Sequence, residues 1–463
     1  MSDAAVTHVA VIGGGWAGCA AAVTLAAAGV PVTLFEQAKT LGGRARRVER
    51  DGIALDNGQH LVIGAYRQTL ALLATVHRAG DAEALFHRLP LTLRAFGGQR
   101  PGGLELAAWR APAPLHLVGG VLGAQGLNGR ERLAMIADFR RLTRAQSRSA
   151  PDESVAQCLA RTSPRTLAGI WEPLCLAALN TTPERASARM FAHVLRAAFT
   201  GTHRNSDFLV PAVDLSACFP DAAAQFIVQR GGVVRRGVAV RVIGRTGDAV
   251  ALRMGAEVAN YSAAIVAVAP QQLATTVGAA AASDDAWRVP LALTSAFAYE
   301  SITTLYFGFA GRVAFGVPML RLDDAPGHWA FDRSAALGSG TARGGAQSLI
   351  AVVISAGGPH DALDHATLAA KVESQLRRLA PDLPATTFSH VIAERRATYA
   401  CTPGLMRPAG GRIGRGVYLA GDYTDPVFPA TLEAATRSGV AAAHALIADG
   451  AAGAAARGST RAP

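Results

Sequence analysis

Two short apolar blocks stand near the start of the chain, Val9–Ile12 and Val32–Phe35, separated by an Ala-rich stretch that ends at Gly29 and Pro31. Apolar blocks of this length with no polar alternation predict strands buried on both faces, as in a parallel sheet. The Ala-rich stretch predicts a helix, and Gly29 suits the position just past its end. Strand, helix and strand in this order make a βαβ unit. No charged residue falls between Val9 and Phe35, so the segment has the length of a membrane span. Its glycines and Pro31 interrupt it, however, and no Lys or Arg precedes it, so it reads neither as a span nor as a secretory signal.

From about residue 76 to 204 the pattern turns helical, with Arg/Glu/Ala/Leu mixtures such as GRERLAMIADFRRLTRAQ. Residues 225–270 show short β-branched runs around Gly231-Gly232, Gly237, Gly244 and Gly247, which predict a return to sheet. Ala351–Ser355 predicts a strand, and Leu368–Leu379 a helix with an Arg-rich outer face. The Gly/Ser/Ala-rich stretch 336–346 predicts a surface loop, and residues 416–447 a strand, a turn and a helix. At 463 residues the chain is too long for one simple core. The expected fold is α/β with an α+β second lobe. A Rossmann-type nucleotide-binding domain is assembled from residues 1–75, 205–270 and 400–450. A mixed-sheet and helical substrate domain is formed by 76–204 and 271–399, and 451–463 is an unstructured tail.

The chemistry sits at the ends of these elements. Gly13, Gly15 and Gly18 form a G-x-G-x-x-G run between the first strand and its helix, and Glu36 closes the second strand. This is the dinucleotide fingerprint, in which the acid accepts hydrogen bonds from a ribose and repels a 2′-phosphate. Leu41-Gly42-Gly43-Arg44-Ala45 follows at once. Its glycines let the backbone pass close to a ligand, and Arg44 offers a planar cation to a pyrophosphate. Asp56-Asn57-Gly58 is a turn signal leading to Gln59 and His60. The histidine is either a half-buried structural residue or a group that donates a proton or positions a substrate oxygen. Near the other end, an apolar strand finishes in Gly421-Asp422, whose carboxylate suits a hydroxyl. Pro429-Ala430-Thr431-Leu432 opens a long Ala-rich helix with a partially positive N-terminus.

Charge and cysteine content narrow the setting. There are 45 Lys and Arg against 34 Asp and Glu, a net charge of +11, with arginine doublets at 46–47, 140–141, 235–236 and 395–396. The excess reflects either compositional bias or attraction to an anionic membrane surface. No basic run is interleaved with aromatics, so nucleic acid is not an expected partner. The five cysteines are scattered with no C-x-x-C pair, which argues against a disulfide framework or a zinc site and suits a reducing cytoplasm; no metal is expected.

The fingerprint with Glu36, LGGRA, the middle GGVV segment and the terminal AGD…PATLEAA…SG together resemble the FAD-dependent amine oxidase and phytoene desaturase superfamily. Longer strings are similar to a narrower group, the hydroxysqualene dehydroxylases of hopanoid-making bacteria. They are DNGQHLVIGAY, WEPLCLAALNTTPERASARMFAHVL, LVPAVDLSACFP and AGDYTDPVFPATLEAATRSG. The resemblance implies a non-covalent FAD, with Gly13, Gly15 and Gly18 at its pyrophosphate and Glu36 on the adenosine ribose. Gly43 and Arg44 follow the pyrophosphate, and Val240 presents its backbone to the adenine. Gly421 and Asp422 lie on the ribityl side, and Thr431 and Leu432 meet the isoalloxazine. It also implies reduction of hydroxysqualene to squalene, with His60 the first choice of general acid and Tyr66 or a bound water behind it. Leu115–Leu127 and Trp171–Leu179 are either tunnel lining or ordinary helix core. The implied partners are the isoprenoid substrate, a membrane surface and earlier enzymes of the squalene pathway, at a cytoplasmic, peripheral location. Two other readings share the scaffold: a carotenoid-type desaturase working in the oxidising direction, and a flavin-free chaperone of prenylated proteins.

Overall fold

The computed structural model describes residues 8–78, 80–94, 104–146, 151–313, 315–337 and 345–459. Its six-stranded sheet has the spatial order Val233–Arg236, Val32–Glu36, Val9–Ile12, Ala263–Val266, Val417–Leu419, Gly411–Gly414. The first five strands are parallel and the last is an antiparallel edge. Ile12 pairs with both Phe35 and Val266, and every residue of the three central strands Val9–Ile12, Ala263–Val266 and Val417–Leu419 is buried. Unbroken apolar runs are what a sheet covered on both faces requires. The α/β class expected from the pattern is observed.

The first helix, Trp16–Ala27, packs on this sheet beside the final helix, Leu432–Ser459, which also touches the strands Ala263–Val266, Gly411–Gly414 and Val417–Leu419. It is buried nearly all round, which explains its lack of a polar face. A Cβ on Gly439 would stand 2.1 Å from the Ala17 carbonyl oxygen, so the two helices touch backbone to backbone. The alanines and glycines are there to permit that approach.

A three-stranded antiparallel sheet, Val240–Thr246, Ala249–Met254 and Glu257–Tyr261, follows the edge strand Val233–Arg236. The second lobe is built on a five-stranded antiparallel sheet in the order Met319–Arg321, Trp329–Asp332, Ser348–Ser355, Tyr299–Phe309, Thr386–Tyr399. Alternation along these strands divides its two faces. Leu305, Phe307, Ile350 and Val352 pack on the helix His365–Leu379 through Leu368, Val372 and Leu376. Ile302, Trp329, Phe331 and Val353 point the other way, into a cavity.

The two lobes are pinned by a buried ion pair. Arg333 Nη2 lies 3.1 Å from Asp56 Oδ2, with both side chains almost wholly covered. The Leu215 amide donates to Asp56 Oδ1 at 2.8 Å and the Tyr306 hydroxyl to the Asp56 carbonyl at 3.0 Å.

Three expectations need amending. Residues 225–229 are the end of a helix, Pro220–Gln229, rather than sheet. Pro220 at its first position and Asp221 in its first turn are the start signals, and a run as short as FIV does not separate the two periods. The region read as helical also contains the strands Phe86–Leu89, Thr92–Arg94 and Glu105–Ala107. The final helix runs on through 451–459, where an unstructured tail was expected, and 460–463 lie outside the described residues. So do 338–344, the centre of the expected Gly/Ser/Ala loop.

Candidate functional site

One continuous cavity of about 510 Å³ is lined by residues from the glycine fingerprint to the second sheet. At the fingerprint end, the three glycines have three different reasons to be glycine. Gly13 has φ +107° and a Cβ there would meet the Ala267 carbonyl oxygen at 2.7 Å; it makes the turn. A Cβ on Gly18 would come within 1.8 Å of the Gly13 carbonyl oxygen; it lets the helix sit against the strand. Gly15 opens into the cavity, where a Cβ would find only Gly43 Cα, at 4.0 Å. Turn, close packing and open approach are the three roles that a pyrophosphate-binding glycine motif needs.

The first helix begins at this spot. No side chain caps it and no acid stands in its first turn, so its N-terminal amides remain free for an anion. Glu36 is held by two backbone donors, Gly14 N at 2.7 Å and Ala38 N at 2.8 Å. A carboxylate has about four acceptor positions, so capacity remains on the cavity side. Gly43 lies directly against Gly15, where a Cβ would stand 3.2 Å from the Gly15 Cα, and Arg44 Nη2 donates to both Asp422 carboxylate oxygens at 2.7 Å while Nη1 donates to the Ala397 carbonyl. Two expected ligand-binding residues separated by most of the chain are therefore in direct contact. Gly421, with φ +152°, also lines the wall, and its amide donates to Ser438 Oγ at 3.0 Å.

Thr431 and Leu432 form the wall at the start of the final helix. Thr431 Oγ1 caps that helix by accepting from Ala434 N at 3.1 Å. Val240 is elsewhere. It opens the three-stranded sheet opposite Met254 and is not among the lining residues, although Val238, two residues before it, donates its amide to the Glu36 carbonyl.

Gln59, His60 and Tyr66 line the same wall as Thr431. The His60 Nδ1 lies 2.9 Å from the Gly58 carbonyl oxygen. A carbonyl only accepts, so Nδ1 carries the hydrogen and Nε2 keeps its lone pair. Burial lowers the His60 pKa, and the Arg44 cation lowers it further. The ring is thus neutral near pH 7 and presents an acceptor. Nε2 as it stands is an acceptor, and the histidine donates from that atom only when the ring is protonated. Tyr66 is no better placed, because burial and the nearby Glu433 raise its pKa. Its ring lies edge-on to Phe428.

Sequence reasoning missed Gln59. It is buried, and its Oε1 has no hydrogen-bond partner. An unpaired buried amide oxygen on a cavity wall is poised for a ligand donor. Its one signal was its place beside His60. The apolar part of the wall, including Leu93, Phe208, Met319, Trp329 and Phe331, was also unseen. The Trp171–Leu179 segment does contribute, through Leu174, Leu176 and Leu179. No residue of Leu115–Leu127 lines the cavity; its helix packs outside the hairpin formed by Thr92–Arg94 and Glu105–Ala107. Among the described residues no cluster could hold a metal ion and all five cysteines are free.

Comparison with known proteins agrees with this geometry. The family model for flavin containing amine oxidoreductases matches residues 16–447. The hydroxysqualene dehydroxylase of Rhodopseudomonas palustris is 28% identical over 462 residues, covering 96% of this chain and 99% of that protein. That of Sinorhizobium fredii is 24% identical over 480 residues, covering 96% and 99%. The crystal structure of an oxidoreductase from Methanosarcina mazei superposes with a TM-score of 0.69 at 13% identity, covering 95% of this chain and 99% of that one. The chain belongs to the flavin containing amine oxidoreductase family and is a flavin-dependent oxidoreductase.

Proposed function

We propose that the protein binds FAD non-covalently and reduces hydroxysqualene to squalene. The observation that carries this reading is the joining of two environments in one cavity. A glycine-walled cradle with a helix N-terminus continues into a chamber walled by Leu93, Leu174, Phe208, Met319, Trp329 and Phe331, with Gln59, His60 and Tyr66 also on the wall. The cradle suits a dinucleotide and the chamber an apolar substrate, and two relatives that match over nearly their whole length are hydroxysqualene dehydroxylases.

In this reading Gly13, Gly15 and the first helix hold the pyrophosphate, Gly18 keeps that helix against the strand, and Glu36 holds the adenosine ribose. Gly43, Arg44, Gly421 and Asp422 continue along the cofactor to Thr431 and Leu432. A bound, reduced flavin supplies the two-electron reducing equivalent. The protein's part is to bury the chain, exclude water and manage the hydroxyl. Breaking the allylic C–O bond leaves a delocalised cation, and the departing oxygen takes a proton and leaves as water. Gln59 Oε1 accepts the single hydrogen of the substrate hydroxyl and aims it. When His60 is protonated, Nε2–H donates to the leaving oxygen. The substrate dissolves in bilayers, so the protein works at a cytoplasmic membrane face, next to enzymes that make its substrate; no helix of the described residues is long and apolar enough to cross a membrane.

The test is turnover of hydroxysqualene in detergent micelles by purified protein with FAD and a chemical reductant. Squalene is the expected product. Formation of dehydrogenated polyenes from a carotenoid precursor, with no squalene from hydroxysqualene, would refute the assignment.

A further inference from the structure

The helix Leu115–Gly123 turns one face inward and leaves the other uncovered. His116, Gly119 and Gly120 are buried, whereas Leu115, Val118 and Leu122 are exposed by 60%, 36% and 50%. Positions i, i+3 and i+7 fall on one side of a helix. Trp109 lies against Gly119 and Gly123 and is itself 56% exposed. Four large apolar side chains thus make one continuous patch, which a soluble surface rarely leaves open.

Cationic groups accompany the patch. Residues 104–146 carry six arginines against three acids. The acids are all engaged: Asp138 is buried against Arg141 and Trp171, Glu131 closes the cap of the next helix, and Glu105 has its own partner. Arg110, beside Trp109, has no acidic partner among the described residues. Arg130 and Arg140 on the adjacent helix Gly129–Arg144 have none either, and they share an exposed face with Leu133, which is 68% exposed. Tryptophan with aliphatic residues, fringed by unpaired arginines, matches the chemistry of an anionic bilayer surface.

The patch is also close to the cavity. Leu93, on the cavity wall, pairs across its hairpin with Leu106. A Cβ on Gly120 would stand 2.8 Å from the Ala107 carbonyl oxygen. One hairpin and one helix separate the chamber from the exposed face.

We propose that this face, formed by Trp109, Leu115, Val118 and Leu122 with Arg110 and Arg130, docks the protein on an anionic membrane and sets the apolar chamber against the bilayer from which its substrate comes. The proposal deepens the isoprenoid reading and rests on it. The test is co-sedimentation with phosphatidylcholine vesicles, with and without phosphatidylglycerol, for wild type and Leu115→Gln/Leu122→Gln. Both exposed positions tolerate a polar side chain, and the flavin absorbance of each protein reports that it is folded and loaded. Wild type should sediment with the anionic vesicles and be released by salt. The double variant should partition about tenfold or more weakly, with hydroxysqualene turnover unchanged in micelles and lost in vesicles. Equal sedimentation of the two proteins overturns the proposal. So does wild type that stays in the supernatant, and retention by the patch of a polypeptide instead of lipid makes it a protein interface. In each of these cases micellar turnover leaves the reaction standing, whereas no squalene from wild type in any medium overturns the reaction itself.

Discussion

Single glycines separate binding from folding at this site. Gly15→Ala adds a methyl group into open cavity at an ordinary backbone angle, φ −71°. It should shift stability by no more than about 0.5 kcal/mol while sharply weakening flavin retention, measured by fluorescence of released FAD. Gly18→Ala drives a methyl group into the Gly13 carbonyl and should cost about 1–3 kcal/mol through overpacking, read from denaturant midpoints. Equal effects of the two would refute the division of labour. His60 makes a second prediction. Its pKa lies below the ordinary value of about 6.5, so the fraction able to donate a proton grows as pH falls below that value. Single-turnover rates of pre-reduced enzyme should rise towards acid, and His60→Gln should flatten the profile. A wild-type rate that falls over the same range would exclude His60 as donor. Each glycine and acid of the fingerprint could be read from the chain because backbone geometry and charge demand those residue types. Gln59 could not, since an unpaired amide oxygen is a property of its surroundings.

Pairs of elements carry the tie between the lobes. Asp56 ends one strand of a hairpin, and Arg333 follows a strand of the second sheet. Burial pushes the Asp56 carboxyl up to about 6, against the pull of Arg333. Replacing Arg333 with Met strands that carboxylate and should destabilise by about 3–5 kcal/mol. Because the folded pKa of Asp56 is raised, its protonated form is favoured in the folded state. The stability attached to this group is therefore greatest below the unfolded value near 3.9 and declines as pH rises through about 6. Removing its cation should steepen that decline in thermal melts taken from pH 4 to 7; identical slopes would contradict it. The long elements were visible in sequence because apolar runs and alanine stretches repeat over many residues. The strands Thr92–Arg94 and Glu105–Ala107, three residues each, were not, because so few positions define no period. The Leu115–Gly123 helix was recognised as apolar, but composition does not say which side of a wall an apolar helix occupies.

Over the whole molecule, the cofactor acts as a structural member as well as a reagent. The proposed site joins residues from Gly13 to Leu432, so ligand binding to the folded form alone should raise stability by RT ln(1 + [FAD]/Kd), about 4 kcal/mol at a thousandfold excess over Kd. Apoprotein should melt earlier and recover as FAD is titrated; a midpoint indifferent to FAD would refute a dinucleotide in this cavity. Many basic side chains stand in ion pairs, as where Arg47 pairs with Asp214 and Asp221 and Arg235 with Glu257. Hence the overall value of +11 said less than its distribution. The central sheet carries one more consequence. Its middle strands come from residues 9–12, 263–266 and 417–419, and the first helix gets its cover from the last. During synthesis at roughly 5–20 residues per second, the fully apolar N-terminal unit waits roughly 20–80 s for the partners that bury it. The nascent chain is therefore a client for holding chaperones until residues 411–447 have emerged, and a ribosome stalled before residue 411 should display a protease-sensitive, aggregation-prone βαβ unit over residues 9–36.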